Sequence, residues 1–255
     1  MSTGWRADFP AAPPFAPFAG WAERLGGNEW PTLADLNVLA DERALTNAAG
    51  LPLRFTTQTL RCGQLDYEQS ALTDGRLPTR ERNWHDLFNA LVWLTWPRTK
   101  AALNAVQCGE LRAGARRSPV SDAATLFDES GMVLVGATDD LVELLRTHRW
   151  QEAWVERRAE WAGVCAYVIG HAVLEKLLSP WPGITAKCMH LDIPAQSTVE
   201  VVDAALSRTW QARIIKGPSA LFPLPVLGMP GWWPANAVPS FYSEARYFRP
   251  SCPSG

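Results

Sequence analysis

The sequence predicts a mainly α-helical α+β fold: a single helical domain with a small β-hairpin or short sheet, and with extended, proline-rich N- and C-terminal arms. Two segments, residues 83–104 and 164–178, are apolar with helical periodicity, which is typical of buried helices. Hydrophobic residues make up 47% of the 255 residues, enough to bury a substantial core around such helices. Prolines cluster near both ends of the chain, where they favour extended backbone over regular helix.

These observations divide the chain into three expected segments. Residues 1–31 are rich in proline, alanine and aromatic residues and are expected to lie as an arm across the protein surface. Residues 32–217 are expected to form the α-rich core domain, and residues 218–255 a proline-rich tail that wraps around it. No repeat at solenoid periods and no long linker indicates a further domain.

Composition argues against several classes of protein. The 24 basic and 26 acidic residues give a formal net charge of −2, so no overall field attracts nucleic acid or an acidic membrane. The sequence contains no apolar run of membrane-spanning length, and Asp8 and several prolines stand near the N-terminus in place of an apolar stretch, so no secretory leader is expected. Its five cysteines are scattered without a CxxC pair, as expected of reduced thiols, so we expect a cytoplasmic protein. Motifs for nucleotide, dinucleotide, α/β-hydrolase and zinc-finger sites are absent.

The shorter elements follow from local patterns. Thr32 is placed to cap a helix over residues 32–45, and alternation in residues 51–58 predicts a strand. The turn residues 128–131 lie between two apolar runs and predict a β-hairpin over residues 125–135. Further predicted elements are helices at residues 141–149, 151–161 and 199–210, and a strand at residues 184–193.

Residues 83–104 combine a buried helix with a polar first turn. Asn83 is placed to cap the helix, with Asp86 as the acidic partner three residues later, and Pro97 ends or kinks it. His85 and Asn89 are four residues apart and therefore lie on one face. An unpaired buried polar group costs about 1–3 kcal/mol, so these side chains are expected to have partners. His85 suits either a base or metal ligand, or a structural role.

The second apolar segment carries a histidine and a carboxylate at helical spacing. His171 and Glu175 are four residues apart, so in a helix they would face the same way. This spacing suits two metal ligands, or a base oriented by a carboxylate. A buried, hydrogen-bonded pair that fixes helix packing would give the same pattern. Gly170, just before the histidine, would let another backbone or a ligand approach closely.

Four sequence runs carry a resemblance to a known family. They are PTRERNWHDLFNALVWLTWPRTKAALN (residues 78–104), DAATLFDESG (122–131), GHAVLEK (170–176) and LPVLGMPGWWPAN (224–236). With these runs in this order, most of the chain resembles a bacterial domain family of unknown function. The resemblance implies kinship and no particular reaction. One departure from the family pattern is Gln107, where relatives more often carry a histidine.

The polar residues of these segments supply the candidate site. Groups suited to acid–base catalysis are His85, His171, Glu175 and Asn89. Side chains that would together bind a hard or borderline divalent ion are His85, His171, Glu175, Glu129 and Asp122. Cationic side chains for an anionic substrate are Arg80, Arg82, Arg116, Arg117 and Lys100. Each of these residues could instead have a purely structural role: solvation at the surface, helix capping, turn formation or a buried hydrogen bond.

These groups lead to three hypotheses about function. The first is a hydrolase-like enzyme, acid–base or metal-assisted, that acts on a small, anionic substrate and whose cofactor would be a divalent metal ion. The second is a non-catalytic binding or scaffold protein whose polar cluster is structural. The third is a metal-dependent nuclease, against which the nearly neutral charge and the missing histidine weigh. The first hypothesis requires the imidazoles of His85 and His171 within about 10 Å of each other in a water-accessible hollow. The reaction and the oligomeric state stay open.

Overall fold

The fold is built mainly from helices. The computed structural model describes residues 4–58, 63–109, 118–244 and 246–249. The α-helices in these ranges are α1 (Ala19–Leu25), α2 (Leu33–Glu42), α3 (Gln64–Asp74), α4 (Trp84–Thr95), α5 (Pro97–Gly109), α6 (Pro119–Ser130), α7 (Asp139–Arg146), α8 (His171–Leu177) and α9 (Val199–Gln211). The strands are β1 (Arg54–Thr57), β2 (Arg76–Thr79), β3 (Gly131–Val135), β4 (Cys165–Val168), β5 (Thr185–Leu191) and β6 (Phe222–Pro225). The predicted class, a mainly α-helical α+β fold with short sheets, is therefore confirmed.

Two small sheets lie among the helices. The larger has the strand order β4-β3-β5-β6, with β3 and β5 parallel and both outer pairs antiparallel. Its strand β3 is buried along its whole length, as expected of a strand with neighbours on both sides and helices over it. Strands β1 and β2 form a separate parallel pair. Strand β6 places part of the proline-rich C-terminal segment in the larger sheet.

Helices α4 and α5 form the predicted pair of consecutive buried helices. The side chain of Asn83 accepts from the N–H of Asp86, so α4 begins at Trp84 as predicted. Helix α4 ends at Thr95 and Pro97 begins α5. The free N–H groups at the start of α5 are satisfied from α9, because the carboxylate of Asp203 accepts from Arg98 at 3.1 Å and Thr99 at 2.8 Å. The break in the helix therefore costs few backbone hydrogen bonds.

The predicted β-hairpin over residues 125–135 is wrong. Residues 119–130 form helix α6, which is capped by the side chain of Ser118 and has Pro119 at its first position. Its apolar side chains pack into the core, and the chain passes directly into strand β3 at Gly131. Asp128 consequently lies buried in the last turn of a helix, not in an exposed turn. The helical packing of this amphipathic segment outweighed the local turn preference of its acidic residues.

Other predicted elements differ in winding. Residues 164–178, predicted as one helix, form strand β4 and then helix α8, because β4 pairs with β3. Residues 151–161 form π-helical and 3₁₀ turns, and this winding brings the rings of Trp154 and Trp161 into stacked contact. The N-terminal segment is 3₁₀-helical and then α-helical where extended backbone was expected. The φ angle that proline fixes also suits a 3₁₀ turn, and burial of the aromatic side chains selects it.

The core is rich in tryptophan. Trp93, Trp96, Trp154 and Trp210 are fully buried, and each supplies a wide apolar plate between helices or sheet. None of the described helices has both the length and the apolar character needed to cross a membrane.

Candidate functional site

A polar cavity of about 220 Å³ opens where α3, α4, α6 and α8 meet. Most of its lining is polar, and it comes from parts of the chain that are far apart in sequence. The lining includes the side chains of Tyr67, Glu68, Arg80, His85, Asn89, Asp128, Glu129 and His171. Such a concave, polar site with several titratable groups is the default location for ligand binding or catalysis.

The two histidines of the predicted site face each other. His85 lies in the first turn of α4 and His171 is the first residue of α8. Their Nε2 atoms are 3.1 Å apart, and their ring centroids are 4.5 Å apart with the planes at 77°. The expectation that the imidazoles lie within about 10 Å of each other is therefore confirmed.

Each imidazole has a carboxylate behind it. Nδ1 of His85 lies 3.1 Å from Oε2 of Glu175, one turn after His171 on α8. Nδ1 of His171 faces Asp128, whose Oδ2 is 4.0 Å away, slightly longer than a hydrogen bond. The pairing of His171 with Glu175 that the spacing suggested is absent from the described contacts, because the carboxylate of Glu175 reaches α4 instead. A carboxylate at Nδ1 favours a proton on that atom and leaves Nε2 with a lone pair.

Glu129 completes the cluster. Its Oε2 lies 3.5 Å from Nε2 of His171, and ligand atoms of His85, Glu129 and His171 all lie within 4.8 Å of one another. A metal ion about 2.1 Å from each ligand atom sets neighbouring ligand atoms about 3.0–3.4 Å apart in octahedral or tetrahedral geometry. The 3.1 Å between the two Nε2 atoms falls in that range and the 3.5 Å between Nε2 of His171 and Oε2 of Glu129 lies just above it, while the third pair lies within 4.8 Å. These three side chains are therefore suited to hold a divalent ion.

Burial controls the charge of these groups. It lowers the pKa of His171 to about 3, against the opposing attraction of Asp128, so this imidazole is neutral at ordinary pH. Burial and the negative charge of Asp128 raise the pKa of Glu129 above its ordinary value. Burial also acts to raise the pKa of Asp128, but the positive charge of the Lys100 ammonium and its hydrogen bond to the carboxylate hold that pKa below its ordinary value.

Lys100 is sealed beneath the cavity and does not belong to its lining. Its Nζ lies 2.5 Å from Oδ1 of Asp128 and 5.3 Å from the centroid of the Trp93 ring. The two side chains of this ion pair are only 3% and 4% exposed. Lys100 therefore neutralises Asp128, and the structure does not bring it to a position for substrate binding.

Arg80 lies at the edge of the cavity and is held by Asp86. Its Nη2 is 2.7 Å from Oδ1 and its Nε 3.0 Å from Oδ2, and its backbone N–H also donates to that carboxylate. Asp86 was predicted to cap helix α4 with its carboxylate, but that carboxylate accepts from Arg80 instead. The bidentate pair fixes the guanidinium near the site and raises the pKa of Arg80.

Of the other predicted site residues, some line the cavity and some lie outside it. Asn89 lines the cavity, where its Nδ2 donates to the hydroxyl of Tyr67 at 2.8 Å. Asp122 lies in the first turn of α6, two turns from Glu129, and Arg82 is exposed outside the lining, so neither joins the cluster. Arg116 and Arg117 lie outside the described residues.

Sequence reasoning missed two residues of the cavity wall, Tyr67 and Glu68. The hydroxyl of Tyr67 accepts from Asn89 and, at 3.3 Å, from Nε1 of Trp93. Glu68 is 4% exposed and its carboxylate accepts from Nδ2 of Asn104 at 2.6 Å. The partners lie 22 to 36 residues away along the chain, so no local pattern marks either residue.

A close backbone contact fixes α6 against α8. The carbonyl oxygen of Gly131 accepts from the N–H groups of both Ile169 and Gly170, each at 2.9 Å. A Cβ atom on Gly170 would lie 2.4 Å from the Cα of Ser130, so only glycine fits there. Glu129 and His171 flank this contact, and their separation is therefore set by the backbone.

The fold and the site together define a mainly α-helical α+β protein with a histidine and carboxylate cavity. The profile of a family described as "Protein of unknown function (DUF3025)" matches residues 53–252, and the chain belongs to this family. The family resemblance seen in the sequence is thereby confirmed. The matched range includes all four helices that form the cavity. No curated protein and no solved structure gives a significant match.

Proposed function

We propose that this protein is a hydrolase-like enzyme that acts on a small, anionic substrate with a divalent metal ion held by His85, His171 and Glu129. The observation that carries this proposal is the meeting of three acceptor atoms, two imidazole Nε2 atoms and one carboxylate oxygen. Glu175 orients His85 from behind, as a carboxylate commonly does for a metal-bound histidine.

Proton placement at the two imidazoles favours a cation between them. The ionised carboxylate of Glu175 only accepts, so the proton of a neutral His85 belongs on Nδ1 and its Nε2 is a lone pair. If the one proton of neutral His171 lies on Nδ1, toward Asp128, three lone-pair atoms converge without a positive charge. A divalent cation at their centre removes this repulsion.

Placing the proton of His171 on Nε2 instead leaves its Nδ1 without a hydrogen-bond donor. If the proton of His171 lies on Nε2, it can be donated to His85, but Nδ1 of His171 is then a buried acceptor facing the Asp128 carboxylate. No described group donates to that Nδ1 atom. A buried acceptor without a partner costs about 1–3 kcal/mol, so the metal-bound arrangement satisfies the site better.

The charge of the surroundings supports the same assignment. Lys100 and Asp128 cancel each other, which leaves the carboxylate of Glu129 beside the neutral imidazole of His171. A divalent ion would balance this excess of negative charge, and when bound it supplies a Lewis acid and an acidified water molecule. Arg80 at the cavity edge, with its Nη1 donors not used by Asp86, is the group that we assign to an anionic substrate.

Two other functions are less well supported by the site. A scaffold role is favoured by one observation, the burial of His171 and its contact with His85, but it does not account for a water-accessible cavity around both rings. A metal-dependent nuclease would need a basic surface beside the histidines, and Arg80 is the arginine that lines the cavity within the described residues. We therefore place a small molecule before nucleic acid as the substrate. A cytoplasmic location is supported by the free thiols of Cys165 and Cys188.

The experiment that tests this proposal compares metal binding by matched variants. Elemental analysis of the purified protein and calorimetric titration with Zn²⁺ and Mn²⁺ are made on wild type, His171→Asn and Glu129→Gln. We expect wild type to bind one ion per chain and each variant to lose affinity by about 100-fold or more, because a direct ligand is removed. A panel of ester, amide and phosphoester substrates is then screened with and without the bound ion.

The control is His148→Asn, the same chemical change at a histidine outside the site. His148 has a φ of 56°, a conformation that asparagine tolerates, so this variant should fold and bind the ion like wild type. If His171→Asn binds metal as wild type does and only its melting temperature falls, the scaffold role is correct and the enzyme proposal fails.

A further inference from the structure

Glu68 is a buried carboxyl group in the cavity that the proposed metal site does not use. Its Oε2 accepts from Nδ2 of Asn104, which also donates to the backbone carbonyl of Glu68 at 2.8 Å. The amide of Gln107 lies between Glu68 and Thr125. With its nitrogen toward the carboxylate, it donates to Oε2 at 3.2 Å and its oxygen accepts from Oγ1 of Thr125 at 3.3 Å. Two side-chain amides therefore hold one oxygen of this carboxylate.

The other oxygen of Glu68 is open to the cavity. No described group donates a hydrogen bond to Oε1 of Glu68. The fully buried atoms without a hydrogen-bond partner do not include Oε1, so this oxygen keeps some exposure. Because Glu68 also lines the cavity, its free oxygen is reached by solvent from that side. A fixed carboxylate with one satisfied and one free oxygen is arranged like a general base, which must be held in place and still reach a proton.

We propose that Glu68 is the proton acceptor of this cavity and acts on water while His85, His171 and Glu129 hold the ion. The inference rests on the proposed function. An O–H bond of the water breaks and its proton passes to Oε1, while the water oxygen bonds to the carbonyl carbon or phosphorus of the substrate. When the bond to the leaving group breaks, the leaving group takes the proton from Oε1 and Glu68 is again a carboxylate.

The charged groups around Glu68 link its proton to the ion. Lys100 on α5 faces it with a positive charge, and Asp128 and Glu129 on α6 face it with negative charges. Tyr67 precedes it on α3 and stays protonated, because burial holds the pKa of its phenol well above the ordinary value. Burial and the charge of Asp128 raise the pKa of Glu68 to about 7. A divalent ion nearby opposes this shift, so ion binding should release the proton of Glu68.

Counting protons released on Zn²⁺ binding tests this link without a substrate. Zn²⁺ is titrated into wild type and Glu68→Gln in two buffers of different ionisation enthalpy, at pH 6, 7 and 8. If ion binding lowers this pKa from about 7 to about 5 or below, wild type should release more protons than the variant, by about 0.8–0.9 at pH 6, about 0.5 at pH 7 and about 0.1 at pH 8. Glu143→Gln, the same change at an exposed position, should behave like wild type.

A direct measurement keeps the proposal testable if the variant does not fold or the ion does not bind. In ion-free wild type with ¹³C-labelled glutamate, we expect one carboxyl carbon, absent from Glu68→Gln or Glu68→Asp, to titrate near pH 7 and to move to lower pH with Zn²⁺. Equal proton release from wild type and Glu68→Gln would overturn the role of Glu68 and leave the metal site standing. Absence of Zn²⁺ binding to wild type would overturn the metal site, and the carbon titration alone would then decide on Glu68.

Discussion

Two carboxylate pairs lie on either side of the facing histidines, and they differ in burial. Lys100 and Asp128, behind His171, are 3% and 4% exposed in their side chains. His85 and Glu175, on the other side, are 30% and 31% exposed. The first pair has lost nearly all of its solvent, while the second remains partly hydrated. The same chemical motif, a carboxylate beside a cation or an imidazole, is therefore desolvated on one side and hydrated on the other.

The difference follows from what burial does to a charge. A buried ion pair costs several kcal/mol to desolvate and is strongly destabilising when one partner is removed. A partly exposed pair contributes about 0–1 kcal/mol to stability, so its removal is tolerated. We therefore expect changes on the buried side to affect folding, and changes on the hydrated side to affect ligand binding.

The largest effect is expected from breaking the buried pair. Lys100→Met should lower the free energy of unfolding by about 3–5 kcal/mol, because it leaves Asp128 charged and unpaired in the core. Urea unfolding at pH 7 measures this change. The double variant Lys100→Met/Asp128→Leu should recover most of the loss, and a single-variant loss below about 1 kcal/mol would contradict the contrast between the two sides.

The next prediction concerns how the free energy of unfolding depends on pH through His171. The pKa of His171 is lowered to about 3, so below pH 6.5 the unfolded chain takes up a proton that the folded protein does not. The contribution of His171 to stability should therefore fall as pH drops, by about 1.4 kcal/mol per pH unit between about pH 6 and 4. Urea unfolding of the ion-free protein should show this added slope in wild type and not in His171→Asn. Glu68 acts in the opposite direction, since its raised pKa costs stability as pH rises through 7, but it is present in both proteins.

A change on the hydrated side should separate binding from stability. Glu175→Ala removes the acceptor that orients His85 and should weaken Zn²⁺ binding by about 10- to 100-fold. The same variant should change the free energy of unfolding by less than about 1 kcal/mol, because the lost pair is partly exposed. Calorimetric titration and urea unfolding on the same sample make the test. If Glu175→Ala loses much stability but binds Zn²⁺ normally, the His85–Glu175 pair stabilises the fold and does not support ion binding.

The smallest effect on ion binding is expected for Tyr67. Tyr67→Phe leaves Nδ2 of Asn89 and Nε1 of Trp93 without their acceptor and should destabilise the protein by about 1–3 kcal/mol. Zn²⁺ affinity should stay within about threefold of wild type, because Tyr67 is not a ligand of the proposed ion. If Zn²⁺ affinity falls as far as in Glu175→Ala, the cavity wall and the ion site are more tightly coupled than the contacts indicate.

The sequence allowed some of this arrangement to be predicted. The cap at Asn83, the break at Pro97 and the mainly α-helical class were predicted correctly, because capping, proline geometry and periodicity are local signals. The convergence of His85 and His171 was also expected, since each lies in an apolar segment predicted to be buried. The roles of these two residues stay predictions.

The errors arose where long-range contacts outweighed local preference. Residues 165–168 were predicted to be helical but form strand β4, because they pair with β3. The predicted hairpin is instead helix α6, because its apolar side chains pack into the core. The partner of Glu175 was expected on its own helix and lies 90 residues away on α4. Glu68 was missed because its amide partners are likewise remote in sequence. A single sequence carries little information about such pairings.

One carbonyl oxygen, that of Gly131, joins the strand edge to the residue preceding His171. The distance between Glu129 and His171, two of the proposed ligands, therefore depends on the stability of this backbone contact. Local opening of the β3–β4 edge would separate the imidazole from Glu129 while the tryptophan-rich core stays folded. Warming the protein should then abolish ion binding at a lower temperature than the one that melts its helices.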